Sequence, residues 1–342
     1  MNKTINCFPA EWEQQSGIQL TWPDKQTDWH SSLEEVLPVY EQIAQAILKR
    51  EKLLVVCRQK SQLPAFLQKD NEHLLVREMP INDTWARDHG AITIRENNQP
   101  VLLNFRFNGW GMKFGANHDN QITPTLAQQE AFAAGINLRD HSYFTLEGGA
   151  LESNGNGCLL TTSECLLSKN RNEHLSQQEI EFFLQKILHV EKVLWLNHGF
   201  LEGDDTDSHI DTLARFCDSH TIAYIKCTNP EDSHYDALQK MEHELQQLTD
   251  QDGQPFRLIP LPFPDPIHDE NGERLPATYA NFLFLNQAIL LPVYQVKQDA
   301  KAIATLKSLF PNKEIIPIDS RPLIKQHGSI HCISMQFPSG VL

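Results

Sequence analysis

The sequence is short of several features that would place it in other classes of protein. No stretch approaches the ~18 consecutive apolar residues that a membrane-spanning helix needs. Residues 1–12 contain no apolar segment typical of an export signal. Bases are few, since 29 Lys and Arg stand against 44 Asp and Glu, for a formal charge of −15. Such a surface repels nucleic acid and anionic membranes, so we expect neither as a partner.

Cysteine pairs with the spacing of a zinc ribbon are also missing. The seven cysteines form no C-x-x-C pair, and their odd number argues against a disulfide framework. We therefore expect mostly free, buried thiols. Reduced thiols and the lack of an export signal predict a cytoplasmic protein.

Helix signals alternate with strand signals along all 342 residues, and no low-complexity linker interrupts them. Apolar spacing predicts a helix over Leu33–Ile47, capped by Ser31 or Ser32, in which Pro38 either makes a kink or belongs to the first turn. A capping box at Ser176 and Glu179 predicts a second helix. Two more helices are predicted at about 235–248 and 300–310.

Strands are predicted as hairpins, because short apolar runs flank turns rich in Asn, Asp and Gly. The predicted hairpins cover residues 90–105, 149–162, 210–226 and 279–292, and a last strand covers 329–337.

Chemically useful residues recur at the start of these strand segments. They are Asp88, Glu147, the pair His209 and Asp211, Asn281, and Cys332, at intervals of about 50 to 70 residues. Equivalent positions in recurring units indicate a closed repeat. Five ββαβ units around one axis would bring all of these residues together at one end.

The last cysteine, Cys332, follows His331 in a Gly-Ser-Ile-His-Cys run. A lone Cys is usually a buried apolar residue, but a thiolate beside an imidazole is a nucleophile. On a strand, His209 and Asp211 would share one face and could address one ligand. A metal site built from His209, Asp211, His327 and His331 is the alternative.

Carboxylates complete the set of candidate residues. Asp88 lies in a Trp-Ala-Arg-Asp run and Glu147 precedes two glycines, although a surface ion pair and a turn carboxylate are the ordinary explanations. A thiol nucleophile, an imidazole and several acids together favour covalent attack on the carbon of a cationic group, and the central carbon of guanidinium is such a carbon.

Longer blocks give the sequence a clear resemblance over essentially its whole length. The blocks are Asn-Asp-Thr-Trp-Ala-Arg-Asp (82–88), Phe-Asn-Gly-Trp-Gly (107–111), Leu-Glu-Gly-Gly (146–149), Leu-Leu-Thr-Thr-Ser-Glu-Cys-Leu-Leu (159–167), Lys-Asn-Arg-Asn-Glu-His-Leu (169–175), Asp-Asp-Thr-Asp-Ser-His-Ile-Asp-Thr-Leu-Ala-Arg-Phe (204–216), Leu-Pro-Ala-Thr-Tyr-Ala-Asn-Phe (275–282) and Gly-Ser-Ile-His-Cys (328–332). With them the chain resembles the agmatine deiminases, within the Porphyromonas-type peptidylarginine deiminase family.

The resemblance implies a five-bladed α/β propeller with pseudo-fivefold symmetry, forming one catalytic domain over residues 1–342. It implies hydrolysis of a small cationic guanidine, agmatine, without metal or organic cofactor, as a step in putrescine formation. Cys332 would be the nucleophile and His209 the general acid and base, while Asp88 and Asp211 would bind the guanidinium. Glu147 would lie in the pocket, and the other implied substrate-binding residues are Trp85, Trp110, Asp205 and Asn281.

Agmatine is favoured over arginine because an acidic pocket around Glu147, with Trp85 as a wall, would repel a carboxylate. Arg106 departs from the family pattern and would suit a carboxylate if it pointed inward, although an outward position is expected. The alternatives are a free arginine or peptidylarginine deiminase, an amidinotransferase, a metal-dependent hydrolase, and a propeller that only binds. A homo-oligomer is compatible with the sequence.

Overall fold

Five times along the chain, an antiparallel hairpin leads into a helix and then into a third strand that runs parallel to the hairpin's second strand. The computed structural model describes residues 5–342. Within these residues each repeat forms its own small sheet. The prediction of an α/β fold built from ββαβ units is therefore confirmed.

The strands, numbered in chain order, pair as follows. The first sheet contains β4 to β6 (Ile92–Glu96, Gln99–Arg106, Asn137–Thr145) and the second contains β7 to β9 (Glu152–Ser153, Cys158–Thr162, Lys192–Leu196). The third contains β10 to β12 (Ala214–Asp218, Thr221–Lys226, Arg257–Pro262) and the fourth β13 to β15 (Leu283–Leu285, Ala288–Val293, Glu314–Asp319). The fifth has the order β16-β1-β2-β3 (Ser334–Pro338, Gln15–Thr21, Lys52–Cys57, Leu74–Glu78).

The fifth sheet joins the two ends of the chain. Strand β16 pairs with β1 in antiparallel fashion, and β1 pairs with β2 in parallel. The hairpin of this repeat is therefore assembled from the last strand and the first strand. This pairing closes the series of repeats, as a circular arrangement requires.

Five longer helices connect the second and third strands of the repeats. They span Leu33–Leu48, Ile122–Gln128, Gln177–Leu188, Tyr235–Gln247 and Asp299–Leu309. Shorter helical turns span Ala65–Gln68, Ala86–His89, Gly109–Met112, Ser163–Leu166, Lys169–Asn172 and Arg321–Ile324. Four of the long helices match predicted ones, including the capping box at Ser176, in which both hydrogen bonds form. Pro38 lies inside the first helix, beyond its first turn.

Each helix packs one apolar face on its own sheet. In the helix Tyr235–Gln247, Leu238, Met241 and Leu245 are buried while most other side chains are polar. The central strands are buried on both faces, and β2 accordingly reads as a continuous apolar run. Burying one such Leu or Ile contributes about 1.5–3 kcal/mol, so the helices are held mainly by this packing.

Short irregular turns precede the first strand of every repeat, and they touch one another in a ring. The contacts are Arg87 N to Cys332 O at 3.1 Å, Gly149 N to Asp88 Oδ1 at 2.9 Å, the packing of the turn Gly148–Ala150 on the turn Ile210–Thr212, Asn281 Nδ2 to Asp211 O at 3.4 Å, and His331 N to Asn281 Oδ1 at 3.0 Å. The five positions predicted to meet at one end of the repeats therefore do meet there.

Several strand starts are predicted too early. The hairpins predicted from residues 149 and 279 begin at Glu152 and Leu283, and two further cases involve residues of the predicted site. The last strand begins at Ser334 instead of Ser329, because the Ser334 hydroxyl bonds back to Ile330 O (2.9 Å) and holds the preceding residues in a turn. His209 and Asp211 do not lie on a strand, since Ile210–Thr212 is a 3-10 turn and β10 begins at Ala214. No helix among residues 5–342 is long and apolar enough to cross a membrane.

Candidate active site

A cavity of about 300 Å³ opens at the end of the repeats where the turns converge. Its buried end reaches Cys332 and Asp88, which are 5% and 4% exposed. Aromatic and acidic side chains form most of its wall. The aromatic side chains are Trp85, Phe107, Trp110 and Phe114, and the acids besides Asp88 are Asp28, Asp83, Asp119, Asp204 and Asp205. Among the described residues, no Lys or Arg lines this cavity.

Cys332 is held against an amide and a carboxylate. Its Sγ lies 3.4 Å from Asn281 Oδ1 and 3.8 Å from Asp211 Oδ2, and its backbone N–H donates to Asn281 Oδ1. Burial, together with Asp211 and Asp88, raises the pKa of the Cys332 thiol well above its usual value. The thiolate is therefore disfavoured until a cation enters between these acids.

His209 lies fully buried beside Asp88. Its Nδ1 is 3.7 Å from Asp88 Oδ1, and within the described structure neither ring nitrogen has a hydrogen-bond partner. Burial lowers the pKa of His209, but the raising effects of Asp88, Cys165 and Glu147 are larger, and the pKa is about 10. The imidazole is thus protonated at neutral pH and can donate a proton.

Asp88 accepts two hydrogen bonds that fix its carboxylate. Oδ1 accepts from Gly149 N (2.9 Å) and Oδ2 accepts from Trp110 Nε1 (2.9 Å). Burial raises the pKa of Asp88 to about 6, against the lowering effect of His209 and Trp110. Asp88 is therefore ionised at neutral pH and can hold a cation.

Gly149 allows the three charged groups to converge. A Cβ at this position would lie 2.5 Å from His209 Nδ1, 2.8 Å from Asp88 Oδ1 and 3.2 Å from Asp211 Oδ2. A Cβ cannot come so close to those atoms, so only glycine fits here.

Asp211 presents one free oxygen. Its Oδ2 lies 2.7 Å from His331 Nδ1, while Oδ1 is buried and has no hydrogen-bond partner among the described residues. Burial raises the pKa of Asp211, but the bond from His331 together with the charges of His331, His209 and Arg215 outweighs burial, so the pKa is lowered. A buried acceptor without a partner is costly unless a ligand supplies a donor, which is what a guanidinium N–H would do.

Glu147 does not line the cavity, contrary to the expected acidic wall. Both of its oxygens accept from Arg171 Nε, at 2.9 and 3.0 Å, and neither side chain has exposed surface. Arg171 also donates to Asp207 Oδ2 (2.6 Å) and to Thr206 O (2.9 Å). The acid facing the cavity instead comes from aspartates farther out. Sequence reasoning missed Arg171, although the block at 169–175 contains it.

Trp110 is placed by an unusual turn. Residues Gly109 to Met112 have φ of 67°, 54°, 84° and 70°, and Asn108 Oδ1 accepts from Gly111 N (2.8 Å). Each L-residue in this conformation costs roughly 1–2 kcal/mol. The strained turn aims the indole N–H of Trp110 at Asp88.

Trp85 lies beside Trp110 in the cavity wall, with the two rings edge to face and their centroids 6.1 Å apart. Its ring packs so closely on Gly328 that a Cβ there would lie 2.1 Å from it. The indole Nε1 donates to Asp83 Oδ2 (3.1 Å). Both tryptophans are thus at the cavity, as expected.

The remaining predicted residues divide between the cavity wall and the layer behind it. Asp205 lines the wall, and its carboxylate is partly exposed, 3.9 Å from His327. Asn281 is fully buried behind Cys332. Arg106 is exposed at the end of β5 and does not line the cavity, so its outward position is confirmed.

Three further aspartates form an acidic cluster away from Cys332. Asp28 is exposed, whereas burial and mutual repulsion raise the pKa of Asp83 to about 7. Burial likewise raises the pKa of Asp119 to about 7, against bonds from the Asn82 and Asp83 amides. A second cation at this end of the cavity would favour the ionised forms of both groups.

Metal ligands are not gathered where the sequence alternative placed them. Among residues 5–342, the group of His, Cys and carboxylate atoms close enough to share an ion is Glu147, Cys165 and His209, whose ligand atoms lie within 4.8 Å of one another. His331 instead bonds Asp211, and His327 bonds the Gly203 carbonyl (2.5 Å). Arg171 already occupies both Glu147 oxygens.

Comparison with known proteins places this chain among enzymes that act on guanidino groups. A Porphyromonas gingivalis structure, provisionally named an arginine deiminase, is 49% identical, covers 99% of this chain and 100% of its own, and superposes with a TM-score of 0.93. A Cys-to-Ser variant of C. jejuni agmatine deiminase with substrate bound is 38% identical, with a TM-score of 0.92 and coverage of 100% and 99%. Pseudomonas fluorescens agmatine deiminase is 30% identical over 97% of this chain and 95% of its own length.

The sequence profile of one family matches almost the whole chain. It is the Porphyromonas-type peptidyl-arginine deiminase profile, and it matches residues 7–338. This chain belongs to the Porphyromonas-type peptidyl-arginine deiminase family.

Proposed function

We propose that this protein hydrolyses the guanidinium group of agmatine to N-carbamoylputrescine and ammonia, as a step in putrescine formation. The observation that carries the proposal is the juxtaposition of a thiol, an imidazole and two carboxylates: Cys332 and Asp88 line the buried end of an acid-lined cavity, and Asp211 and His209 lie directly behind them. Relatives at 30% and 38% identity are agmatine deiminases.

Guanidinium binding is the first step. Asp88 is fixed by two donors, and Asp211 keeps Oδ1 free, so the two carboxylates can accept N–H groups from opposite sides of the planar cation. These charge-assisted bonds compensate the desolvation of the cation.

Binding of the cation also activates the nucleophile. The acids that raise the pKa of Cys332 are the same ones that the guanidinium neutralises. Once they are neutralised, the Cys332 thiol releases its proton to water, and the thiolate Sγ attacks the central carbon. Activation and substrate recognition are therefore one event.

His209 then handles the protons. In the tetrahedral adduct one amino group takes a proton from the His209 imidazolium, the C–N bond breaks, and ammonia leaves. An amidino-thioether on Cys332 remains. Neutral His209 next accepts a proton from water as its oxygen bonds to the same carbon. The C–S bond breaks, and the departing Cys332 thiolate takes up the remaining proton of the O-protonated urea product, which restores the thiol.

The acidic cluster selects the far end of the substrate. Agmatine ends in a second ammonium, which Asp83 and Asp119 would stabilise. Free arginine would place a carboxylate near these acids, and no Lys or Arg among the described residues lines the cavity to receive it.

Free arginine is the second candidate substrate, and one observation favours it. The P. gingivalis protein that is 49% identical carries an arginine deiminase name. The chemistry at Cys332 would be the same, and only the far end of the substrate would differ.

The proposal is tested by incubating the protein with agmatine, arginine and an arginine peptide blocked at both ends. Ammonia release is measured before and after exhaustive chelation. Preferential release from agmatine that survives chelation supports the proposal. Release from the peptide alone, a loss restored by zinc, or no release from any of them would support, respectively, a peptidylarginine deiminase, a metal hydrolase and a binding propeller.

A further inference from the structure

A buried histidine outside the cavity connects the candidate active site to the N-terminal segment. The ring of His331 lies between two carboxylates: Nδ1 is 2.7 Å from Asp211 Oδ2, and Nε2 is 2.6 Å from Glu11 Oε1. His331 has no exposed surface. The mechanism above assigns it no task, although it directly precedes Cys332 in the chain.

Both contacts are short enough to require a proton. A neutral imidazole carries one N–H, so it would face one of the two carboxylates with a lone pair. The Glu11, His331 and Asp211 groups must therefore hold two protons between them. Burial, Arg215 and Arg87 lower the pKa of His331 more than Glu11 and Asp211 raise it, so it is the two short contacts that favour the doubly protonated ring, which leaves both carboxylates ionised.

Glu11 is itself rigidly held. It forms ion pairs with Arg87 (3.1 Å) and with Arg215, and Arg215 bonds Glu152 (2.8 Å) and the Phe282 carbonyl (2.7 Å). These arginines come from two other repeats. A carboxylate fixed in this way gives the His331 ring a second anchor besides Asp211.

The anchored ring determines how Asp211 is presented. Because His331 occupies Oδ2, the carboxylate cannot rotate without losing a charge-assisted bond, and Oδ1 is left as the free acceptor. The backbone N–H of His331 also donates to Asn281 Oδ1, the atom that accepts from the Cys332 thiol as well. One residue thus fixes both the carboxylate and the amide that contact the nucleophile.

We propose that His331 is a positioning residue, anchored by Glu11, that orients Asp211 and keeps it ionised for binding a guanidinium or amidinium cation. Its kinetic consequence rests on the function proposed above. Its effect on the charge of the site does not, because any amidinium cation should detect an ionised Asp211.

Two substitutions separate the two sides of the ring. An asparagine amide nitrogen reaches about the place of Nδ1, so His331→Asn can keep the bond to Asp211 and loses Glu11. A glutamine amide reaches about the place of Nε2, so His331→Gln keeps Glu11 and loses Asp211. His198→Asn is the matched control, since His198 forms an exposed pair with Glu244 (2.7 Å).

The probe is alkylation of Cys332 by 2-chloroacetamidine and by 2-chloroacetamide, which match in shape and differ in charge. The ratio of the two rates measures how strongly the site attracts a cation, and it needs no turnover. We expect His331→Gln to lower this ratio roughly ten-fold or more, His331→Asn to keep it within about three-fold, and His198→Asn to leave it unchanged.

Activity on agmatine gives the second measurement. His331→Gln should lower kcat and raise KM together, because Asp211 loses the partner that lowers its pKa while burial still raises it. The acid limb of kcat/KM should move to higher pH, because the ionisation of Asp211 is then added to that of Asp88. His331→Asn should recover most of this loss. A merely structural role would reduce the folded fraction without moving the limb.

The outcomes are separable. An unchanged ratio in His331→Gln, or equal loss in both variants, overturns the proposal. If one variant does not fold, the other is compared with wild type by the same criteria. If neither folds, His331 acts in packing alone, and the positioning proposal is overturned. If wild type releases no ammonia from agmatine, yet the alkylation-rate ratio changes in the His331 variants as expected, the proposed function fails while the positioning role stands.

Discussion

Glu147 and Arg171 form an ion pair in which neither side chain has any exposed surface and both carboxylate oxygens accept from the same guanidinium nitrogen. The pair lies directly behind His209, whose pKa Glu147 helps to raise. Glu147, which the sequence predicted to lie in the pocket, is therefore paired with a cation. Its charge acts on the imidazole and does not face the substrate directly.

Removing Arg171 should destabilise the protein strongly. Arg171→Met leaves Glu147 as a buried, unpaired charge, which costs about 3–5 kcal/mol in comparable cases. The double variant Arg171→Met with Glu147→Gln should recover much of that loss, because no buried charge remains. Denaturant unfolding of the two single variants and the double variant measures this, and simple additivity of the single effects would contradict the pairing.

Cys332→Ser should fold normally and lose turnover by more than ~1,000-fold, because a hydroxyl is a far weaker nucleophile than a thiolate. Cys7→Ser is the matched control, since Cys7 forms an isolated bridge to Arg95 and does not line the cavity. Ammonia release and thermal melting are measured for both variants. Near wild-type release from Cys332→Ser would refute the assignment of the nucleophile.

The element pattern of this fold could be predicted because its signals are local. The capping box at Ser176 and the turn-rich hairpins lie within a few residues of the structures they specify. The spacing of Asp88, Asn281 and Cys332 indicated that the repeat starts converge, and the ring of contacts between the turns bears this out.

The support of the site could not be predicted in the same way. The contact between Glu11 and His331 joins residues 320 positions apart, and no local pattern specifies such a pair. The pairing of Arg171 with Glu147 depends on how two turns of one repeat pack. The wrong strand assignment of His209 followed from the hairpin predicted over residues 210–226, whereas the bond from Thr212 Oγ1 to the His209 carbonyl (2.8 Å) holds a turn instead.

The pH profile of kcat/KM should be bell-shaped. Asp88 must be ionised to bind guanidinium, so activity should rise with pH through about 6. His209 must be protonated to release ammonia, so activity should fall as pH rises through about 10. Activity that does not fall below about pH 6, or that does not fall above about pH 10, would contradict the assignments.

Trp110→Phe should move the acid limb of that profile to higher pH. The substitution removes the indole N–H that bonds Asp88 Oδ2 and lowers its pKa, so Asp88 would ionise later as pH rises. Trp195→Phe is the control, because the Trp195 indole bonds Glu181 on a different surface. An unmoved limb in Trp110→Phe would show that another group controls it.

Agmatine should be preferred over arginine by at least ~100-fold in kcat/KM, or about 2.7 kcal/mol. The two substrates differ by one carboxylate, and the cavity presents Asp83 and Asp119 without a lining cation among the described residues. Asp83→Asn can keep the bond from Trp85 Nε1 while removing one charge, so it should lower kcat/KM for agmatine by roughly ten-fold and leave that for arginine unchanged or higher.

Arg106→Ala is the control and should leave the ratio unchanged, because Arg106 is exposed and away from the cavity wall. Initial rates with both substrates at low concentration measure the ratio. Comparable turnover of agmatine and arginine by wild type would refute the agmatine assignment and leave the covalent mechanism at Cys332 standing, whereas a ratio that changes in Arg106→Ala would show that this arginine reaches the substrate.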